Sequence, residues 1–268
     1  MIPKVIHYVW VGGKPLTPLA ERCIESWKKY CKDYEIKRWD ETNFDISSHP
    51  FCKEAYENKK WAFVSDYIRL KVLYEEGGIY MDTDVETIKP LDEYLEHPAF
   101  SGFECTKKIP TGIIASEKHN PWVKKMLDYY KDRHFQNEDG TILNMPNVIF
   151  MSDLTEKYYH VKFDDTYQDL KDIVLYPHDY FCPDPLTEKK YANTNNTVTI
   201  HHFAGSWTPK SWRIKKKIKN TLKSIIIFFI GQKNFEKIRE KKAKKKNNSS
   251  SLYNSLNSEN KRRKNEKQ

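Results

Sequence analysis

Two aspartates separated by one residue, Asp82 and Asp84, have the types and spacing best suited to chemistry. They close the run IYMDTD, which reads as a short strand, and along a strand residues two apart point to the same face. Their carboxylates therefore project together, and like charges that close want a cation between them. Hard oxygen ligands suit magnesium, manganese or calcium. A lone D-x-D occurs by chance in many surface loops, and a nuclease or a phosphatase would use the same pair.

The upstream residues narrow the reading. Residues 61–84, WAFVSDYIRLKVLYEEGGIYMDTD, read as a helix, a glycine stop and a strand. Ala62, Ile68, Leu70, Val72 and Leu73 supply an apolar stripe at helical spacing. Gly77 and Gly78 end the helix, because glycine takes the left-handed conformation without a Cβ clash. Asp66 and Arg69 lie three apart and share a helix face. As a bare ion pair they would add only ~0.3 kcal/mol. As binding groups, Asp66 accepts hydrogen bonds from sugar hydroxyls and Arg69 steers hydroxyl or anionic groups. Late in the chain HHFAGSW, residues 201–207, places two histidines at a strand end before a flexible stretch. That stretch is able to close over a ligand, with Trp207 excluding water.

The elements that must position these groups alternate. Residues 4–11 form a β-branched and aromatic run stopped by Gly12-Gly13, a first strand entering a loop. Residues 18–30 read as a helix with Thr17 as N-cap and Leu19, Cys23, Ile24 and Trp27 on one face. Residues 34–39 are a second strand, and residues 51–75 are helical in two pieces broken near Lys59-Lys60. Short strands are expected at 100–104, 111–115, 173–176 and 198–203, and a helix at 121–133 with proline in its first turn. Residues 139–153 fit neither pattern. The alternation predicts an α/β domain.

Charge divides the chain. Residues 1–207 carry 26 Lys and Arg against 33 Asp and Glu, whereas residues 208–268 carry 20 against 4. The +9 net charge therefore belongs to the tail. There Ile214, Ile218, Leu222, Ile225, Ile226 and Phe229 recur at helical spacing opposite a lysine-rich side, a basic amphipathic helix suited to an anionic membrane surface. The Asn/Ser/Lys-rich residues 247–268 are expected to be disordered. The predicted division is a catalytic domain at 1–212, a membrane-associating segment at 213–246 and a tail at 247–268. A basic run alone is weak evidence for nucleic acid, and no such partner is expected. The longest apolar run, residues 225–230, falls far short of the ~20 that span a bilayer. Five scattered cysteines without a CxxC argue against a disulfide framework or a zinc site. With no signal-peptide pattern at the N-terminus, the expected location is cytoplasmic, peripheral on the inner face of the plasma membrane.

Taken in order, VIHYVWVGG, FVSDYIRLKVLYEEGGIYMDTD and HHFAGSW resemble glycosyltransferase family 32, the DXD sugar-transferases of bacterial capsule synthesis and of fungal α-1,6-mannosyl initiation. The glucosylating domains of large clostridial toxins are similar at a greater distance. The resemblance covers roughly residues 1–212. It implies a GT-A fold, a Rossmann-like α/β/α sandwich, and retaining transfer of a hexose (galactose, N-acetylhexosamine, glucose or mannose) with Mn²⁺ or Mg²⁺. It also implies a nucleotide-sugar donor, UDP-linked ahead of GDP-linked, and a lipid-linked glycan acceptor. By position it implies that Trp10 stacks on the nucleobase beside Val9 and that Asp66 and Arg69 hold the donor sugar and ribose. Tyr80 would buttress the donor phosphate. Asp82 would meet the ribose and the metal, Asp84 would bind the metal, and Trp207 would contact the leaving phosphate. His202 or Ser206 would complete the metal site, and Asn144 or Asn147 would reach the sugar. Asp66, Arg69, Asp82 and Asp84 form the catalytic set so implied. No separate carboxylate stands out as a nucleophile, which favours attack on the face from which the nucleotide departs. A transferase that glycosylates a protein and a non-catalytic binding module are the rival readings.

Overall fold

The computed structural model describes residues 1–104, 108–137, 139–142, 146–183, 194–205 and 231. Two units divide the chain, Met1–Thr208 and Pro209–Gln268, and every described residue but Gly231 lies in the first. Apart from Gly231, residues 213–246 and 247–268, and the expectations made for them, lie outside the described residues.

In chain order the elements are β1 (Val5–Val9), α1 (Pro18–Tyr30), β2 (Glu35–Trp39), α2 (Pro50–Glu57), α3 (Trp61–Glu76), β3 (Gly78–Met81), β4 (Val85–Thr87), β5 (Ala99–Gly102), β6 (Ile113–Ser116), α4 (Pro121–Asp128), α5 (Asn147–Tyr159), β7 (Gln168–Asp169), β8 (Val174–Tyr176), α6 (His178–Phe181) and β9 (Thr199–His201). Seven strands form one sheet in the order β2-β1-β3-β6-β5-β8-β7, and β4 pairs with β9 in a second. In the large sheet β1, β2, β3, β5 and β8 run one way, and β6 and β7 run the other.

Alternation along the strands divides the core. Val9, Tyr80 and Ile114 face one side, where they pack with the apolar residues of α2, α3, α4 and α5. Ile6, Tyr8, Ile79, Met81 and Ile113 face the other, against α1, β4 and α6. The result is a three-layer α/β/α sandwich, the predicted fold class. Local sequence explains α1 well: Pro18 opens it, Thr17 Oγ1 accepts from Ala20 N at 3.2 Å, and Ala20, Cys23, Ile24 and Trp27 form its buried stripe.

Three expectations need correction. The apolar stripe foreseen on α3 is instead burial all round, with Phe63 through Leu70, Val72 and Leu73 all buried. The helix lies between α2, α4 and the sheet, so polar Ser65, Asp66 and Arg69 are enclosed as well. The helix foreseen at 121–133 stops at Asp128 and continues as turns. The unassigned stretch contains the start of α5, whose first turn follows Pro146 and has no side-chain cap.

One buried histidine locks the joint that carries the aspartates. Trp39 Nε1 can only donate, so His7 Nδ1 accepts from it at 3.0 Å, and His7 Nε2 donates to Gly77 O at 2.8 Å. Burial, the largest influence, holds the His7 pKa below its ordinary value and keeps the ring neutral. A Cβ on Gly78, at φ +103°, would stand 2.8 Å from both His7 Nε2 and Val5 O. Only glycine lets β3 leave α3 this close to β1.

Candidate active site

The parallel strands β1 and β3 end together, which in open α/β sheets is where ligands bind. The register Ile6–Ile79 and His7–Tyr80, carried two residues further, puts Val9 level with Asp82. Beyond β3 the chain does not continue as a strand. Asp82 to Val85 forms a tight turn, closed by Val85 N donating to Asp82 O at 2.9 Å. The two aspartates thus converge through a turn, not through strand alternation.

This turn is clamped from three sides. Asp82 N donates to Gly112 O at 2.8 Å. From α1, Trp27 Nε1 donates to Val85 O at 2.8 Å, and Ser26 Oγ accepts from Thr87 N at 2.9 Å. From β9, His202 N donates to Asp84 O at 2.9 Å, and Ala204 N donates to Asp84 Oδ2 at 2.8 Å. His201 Nε2 lies 3.3 Å from Asp84 Oδ1. Burial alone would raise the Asp84 pKa, but the hydrogen bonds from His201 and Ala204 outweigh it and hold the carboxyl below its ordinary value.

Ligand-capable atoms of Asp82, Asp84 and His201 all lie within 4.8 Å of one another. The sequence reading left that place to His202 or Ser206, and Ser206 lies outside the described residues. In the structure His202 Nε2 is 2.8 Å from Glu86 Oε2, with Arg22 Nη2 at 3.5 Å. Adjacent strand residues face opposite ways, and β9 pairs His201 with Val85, so it is His201 that turns to the aspartates. Its ring stacks on Phe203, with centroids 4.1 Å apart. Two carboxylates and an imidazole nitrogen fit a divalent cation that accepts both donor types.

Beside the trio lies a buried polar network. Arg69 Nη2 is 2.9 Å from Asp66 Oδ1 and 3.4 Å from Asp82 Oδ1. The same guanidinium donates to Thr111 O at 2.6 Å, Ser65 O at 3.2 Å and Ser65 Oγ at 3.0 Å. It lies over the Tyr80 ring, 4.5 Å from the centroid, while Tyr80 Oη donates to Asp82 Oδ1 at 2.7 Å. Asn147 Nδ2 donates to Asp66 Oδ1, and Asn147 Oδ1 accepts from Thr111 Oγ1 at 2.9 Å. Burial pushes the Asp66 carboxyl up to about 7, Asp82 adds to the rise, and Arg69 and Asn147 oppose it.

The structure therefore brings together Asp66, Arg69, Tyr80, Asp82, Asp84 and Asn147 of the residues singled out in the sequence. Arg69 is 3 % exposed and bonded to protein groups throughout. Val9 is a core residue on the face of the sheet that packs against α2, α3, α4 and α5. Trp10 is half-buried just past β1, with its amide on Trp39 O at 2.9 Å and its indole on Lys14 O at 2.6 Å. Asn144, Ser206 and Trp207 lie outside the described residues. Ser65, Thr111 and Gly112 were not foreseen. Thr111 and Gly112 sit in a turn before β6, and only the tertiary fold brings them under Arg69 and His201.

Residues 18–101 match the family model described as a glycosyltransferase sugar-binding region containing a DXD motif. Inositol phosphoceramide mannosyltransferase 3 of Schizosaccharomyces pombe is 26 % identical over 133 residues, which cover 47 % of this chain but only 36 % of that relative. An uncharacterized glycosyltransferase of Acanthamoeba polyphaga mimivirus, L373, is 25 % identical over 223 residues, covering 76 % of this chain and 86 % of the relative. The solved structure titled PaToxG Glycosyltransferase overlays with a TM-score of 0.43 at 22 % identity, covering 58 % of this chain and 68 % of its own. In its aspartate motif and the elements that carry it, this chain is similar to the glycosyltransferases of family 32, the match to their DXD sugar-binding region lying over residues 18–101.

Proposed function

We propose that the protein is a metal-dependent, retaining hexosyltransferase acting on a nucleotide-sugar, UDP-linked ahead of GDP-linked. The observation that carries this reading is the meeting of Asp82, Asp84 and His201 within 4.8 Å at the strand ends, with buried Asp66 alongside. When bound there, Mn²⁺ or Mg²⁺ supplies Lewis-acid neutralisation of the charge on the departing nucleoside diphosphate.

The chain's own groups do the rest. Asp66 is held through Oδ1 by Arg69 and Asn147, and its Oδ2 is left to accept a sugar hydroxyl of the donor. Tyr80 fixes the Asp82 carboxylate by its 2.7 Å hydrogen bond. Trp10 stacks on the nucleobase, and Ser206 and Trp207 act on the diphosphate side. With no carboxylate assigned as nucleophile, the acceptor hydroxyl attacks from the face of departure and the leaving phosphate helps to take its proton.

The acceptor in this reading is a growing surface glycan, such as capsule or lipopolysaccharide, on a lipid carrier. Residues 1–212 form the catalytic domain, and the basic segment 213–246 holds it at an anionic inner membrane face. No helix among the described residues is long and apolar enough to cross a membrane. Binding to anionic vesicles that persists after removal of residues 214–268 would count against this anchor.

The test of the whole reading is a panel of UDP- and GDP-sugars assayed for Mn²⁺- or Mg²⁺-dependent release of the sugar, with and without glycan acceptors. Turnover of at least one donor is expected. No turnover of any donor would leave a binding module instead.

A further inference from the structure

Two adjacent residues of α1 bond to β4 where a third strand would. Among the described residues β4 pairs with β9 and with no other strand, and a two-stranded ladder is at best marginally stable by itself. Ile88 N donates to Val198 O at 2.8 Å and His202 N to Asp84 O at 2.9 Å. Bonded pairs in an antiparallel ladder come at every second residue. Residues 84, 86 and 88 therefore face β9, and the backbone groups of Val85 and Thr87 face away from it. On that open edge Trp27 Nε1 donates to Val85 O at 2.8 Å, and Ser26 Oγ accepts from Thr87 N at 2.9 Å. The Ser26 hydroxyl hydrogen goes to Cys23 O at 2.6 Å, which turns its lone pairs toward Thr87. Trp27 is fully buried, its ring edge-on to Tyr8 of β1 with centroids 5.7 Å apart. The partner strand is tied separately, Thr199 Oγ1 donating to Phe181 O at 2.8 Å.

We infer that Ser26 and Trp27 are positioning residues of the metal trio, and that their bonds to the open edge of β4 set the affinity for the cation. The inference rests on the proposed function for the metal at Asp82, Asp84 and His201. Val85 follows Asp84 directly and stands opposite His201 in the ladder. Asp84 and His201 meet only while β4 keeps its place against β9, and α1 fixes that place from the edge that β9 does not reach. Without these bonds Val85 O and Thr87 N lose their partners, and a polar backbone group left unpaired away from water is costly. The strand then turns to satisfy them. Because Asp84 precedes Val85, that turn carries its carboxylate away from His201 and opens the trio.

The test is Mn²⁺ affinity, measured by electron paramagnetic resonance titration of the full chain, in four variants checked for folding by circular dichroism. Ser26→Ala removes one edge bond and leaves a good helix former in α1. Trp27→Phe removes the other bond and keeps an aromatic ring in the core. The two should weaken Mn²⁺ binding about fivefold and about tenfold, near the low end of what outer partners of metal ligands are worth. Ser26→Thr keeps the hydroxyl and should stay within about twofold of wild type. Ile24→Val trims the buried face of α1 without touching an edge bond, and it too should stay within about twofold. Affinity within twofold of wild type in both Ser26→Ala and Trp27→Phe would overturn the inference, because the two side chains would then serve stability alone. A loss in Ser26→Thr or Ile24→Val as large as in Ser26→Ala would overturn it too, since the packing of α1 would suffice. Should Trp27→Phe fail to fold, Ser26→Ala against Ser26→Thr and Ile24→Val decides the matter. A wild-type chain that binds no Mn²⁺ is a separate outcome, which overturns the metal site of the proposed function and this inference with it.

Discussion

His201 Nε2 lies 3.3 Å from Asp84 Oδ1, while the side chain of the next residue, His202, turns to Glu86 at 2.8 Å. The β4–β9 register decides between two adjacent histidines that the sequence leaves equivalent. His201→Ala should therefore weaken Mn²⁺ binding by at least about tenfold, since even outer partners of metal ligands are worth that much. His202→Ala should change it by less than about threefold. Calorimetric Mn²⁺ titration of both variants checks the assignment, and the reverse order of effects would contradict it.

Gly112 offers a second route to the same ring. A Cβ there would stand 2.9 Å from His201 Cε1 and Nδ1, and 3.4 Å from Val85 Cγ2. The ring is stacked on Phe203 and has little room to yield. Gly112→Ala should push His201 off the aspartates and lower Mn²⁺ affinity about tenfold. Overpacking of this sort costs ~1–3 kcal/mol in stability, so the variant should still fold. Unchanged metal affinity in a folded variant would mean that His201 is not held where the metal needs it.

Asp66 makes a prediction about pH. Its carboxyl is pushed up to about 7 in the fold, against an ordinary value of 3.8, chiefly by burial. Between those values the folded state holds a proton that the unfolded chain has lost. The contribution of Asp66 to stability is therefore fully present below pH ~4 and is lost as pH rises toward ~7. Asp66→Asn removes this dependence. The stability of the variant relative to wild type should rise across that window by up to ~1.4 kcal/mol per pH unit. Urea unfolding of both proteins at several pH values is the measurement, and parallel pH curves would contradict the burial argument.

Much of this arrangement was legible in the chain. Thr17-Pro18 and the stripe of Cys23, Ile24 and Trp27 define α1, and Gly77-Gly78 marks the joint that delivers Asp82 and Asp84. Those are local signals, set by capping, periodicity and backbone freedom. The missing parts depend on tertiary contact. Asp82 and Asp84 converge through a turn that needs Gly112 O and the Trp27 indole to hold it, and both come from distant elements. Arg69 reads as half of a helix ion pair, but its second acid, Asp82, is reached only when β3 folds back along α3. Helix α5 has an uncapped start after Pro146, so nothing local announces that Asn147 lies against Asp66.

In the proposed function Asp84 holds the metal on which sugar transfer depends, and although its Oδ2 accepts from Ala204 N, the turn keeps its bonds from Val85 N to Asp82 O, Asp82 N to Gly112 O and His202 N to Asp84 O without that side chain. The most direct test is metal-dependent sugar release from the nucleotide-sugar that the wild-type chain accepts, compared with Asp84→Ala at matched folding by circular dichroism. A fall of at least ~10²-fold is predicted, the scale of losing one main electrostatic contributor to a transition state, and excess Mn²⁺ should not restore it. Turnover by the folded Asp84→Ala protein at near the wild-type rate would contradict the account.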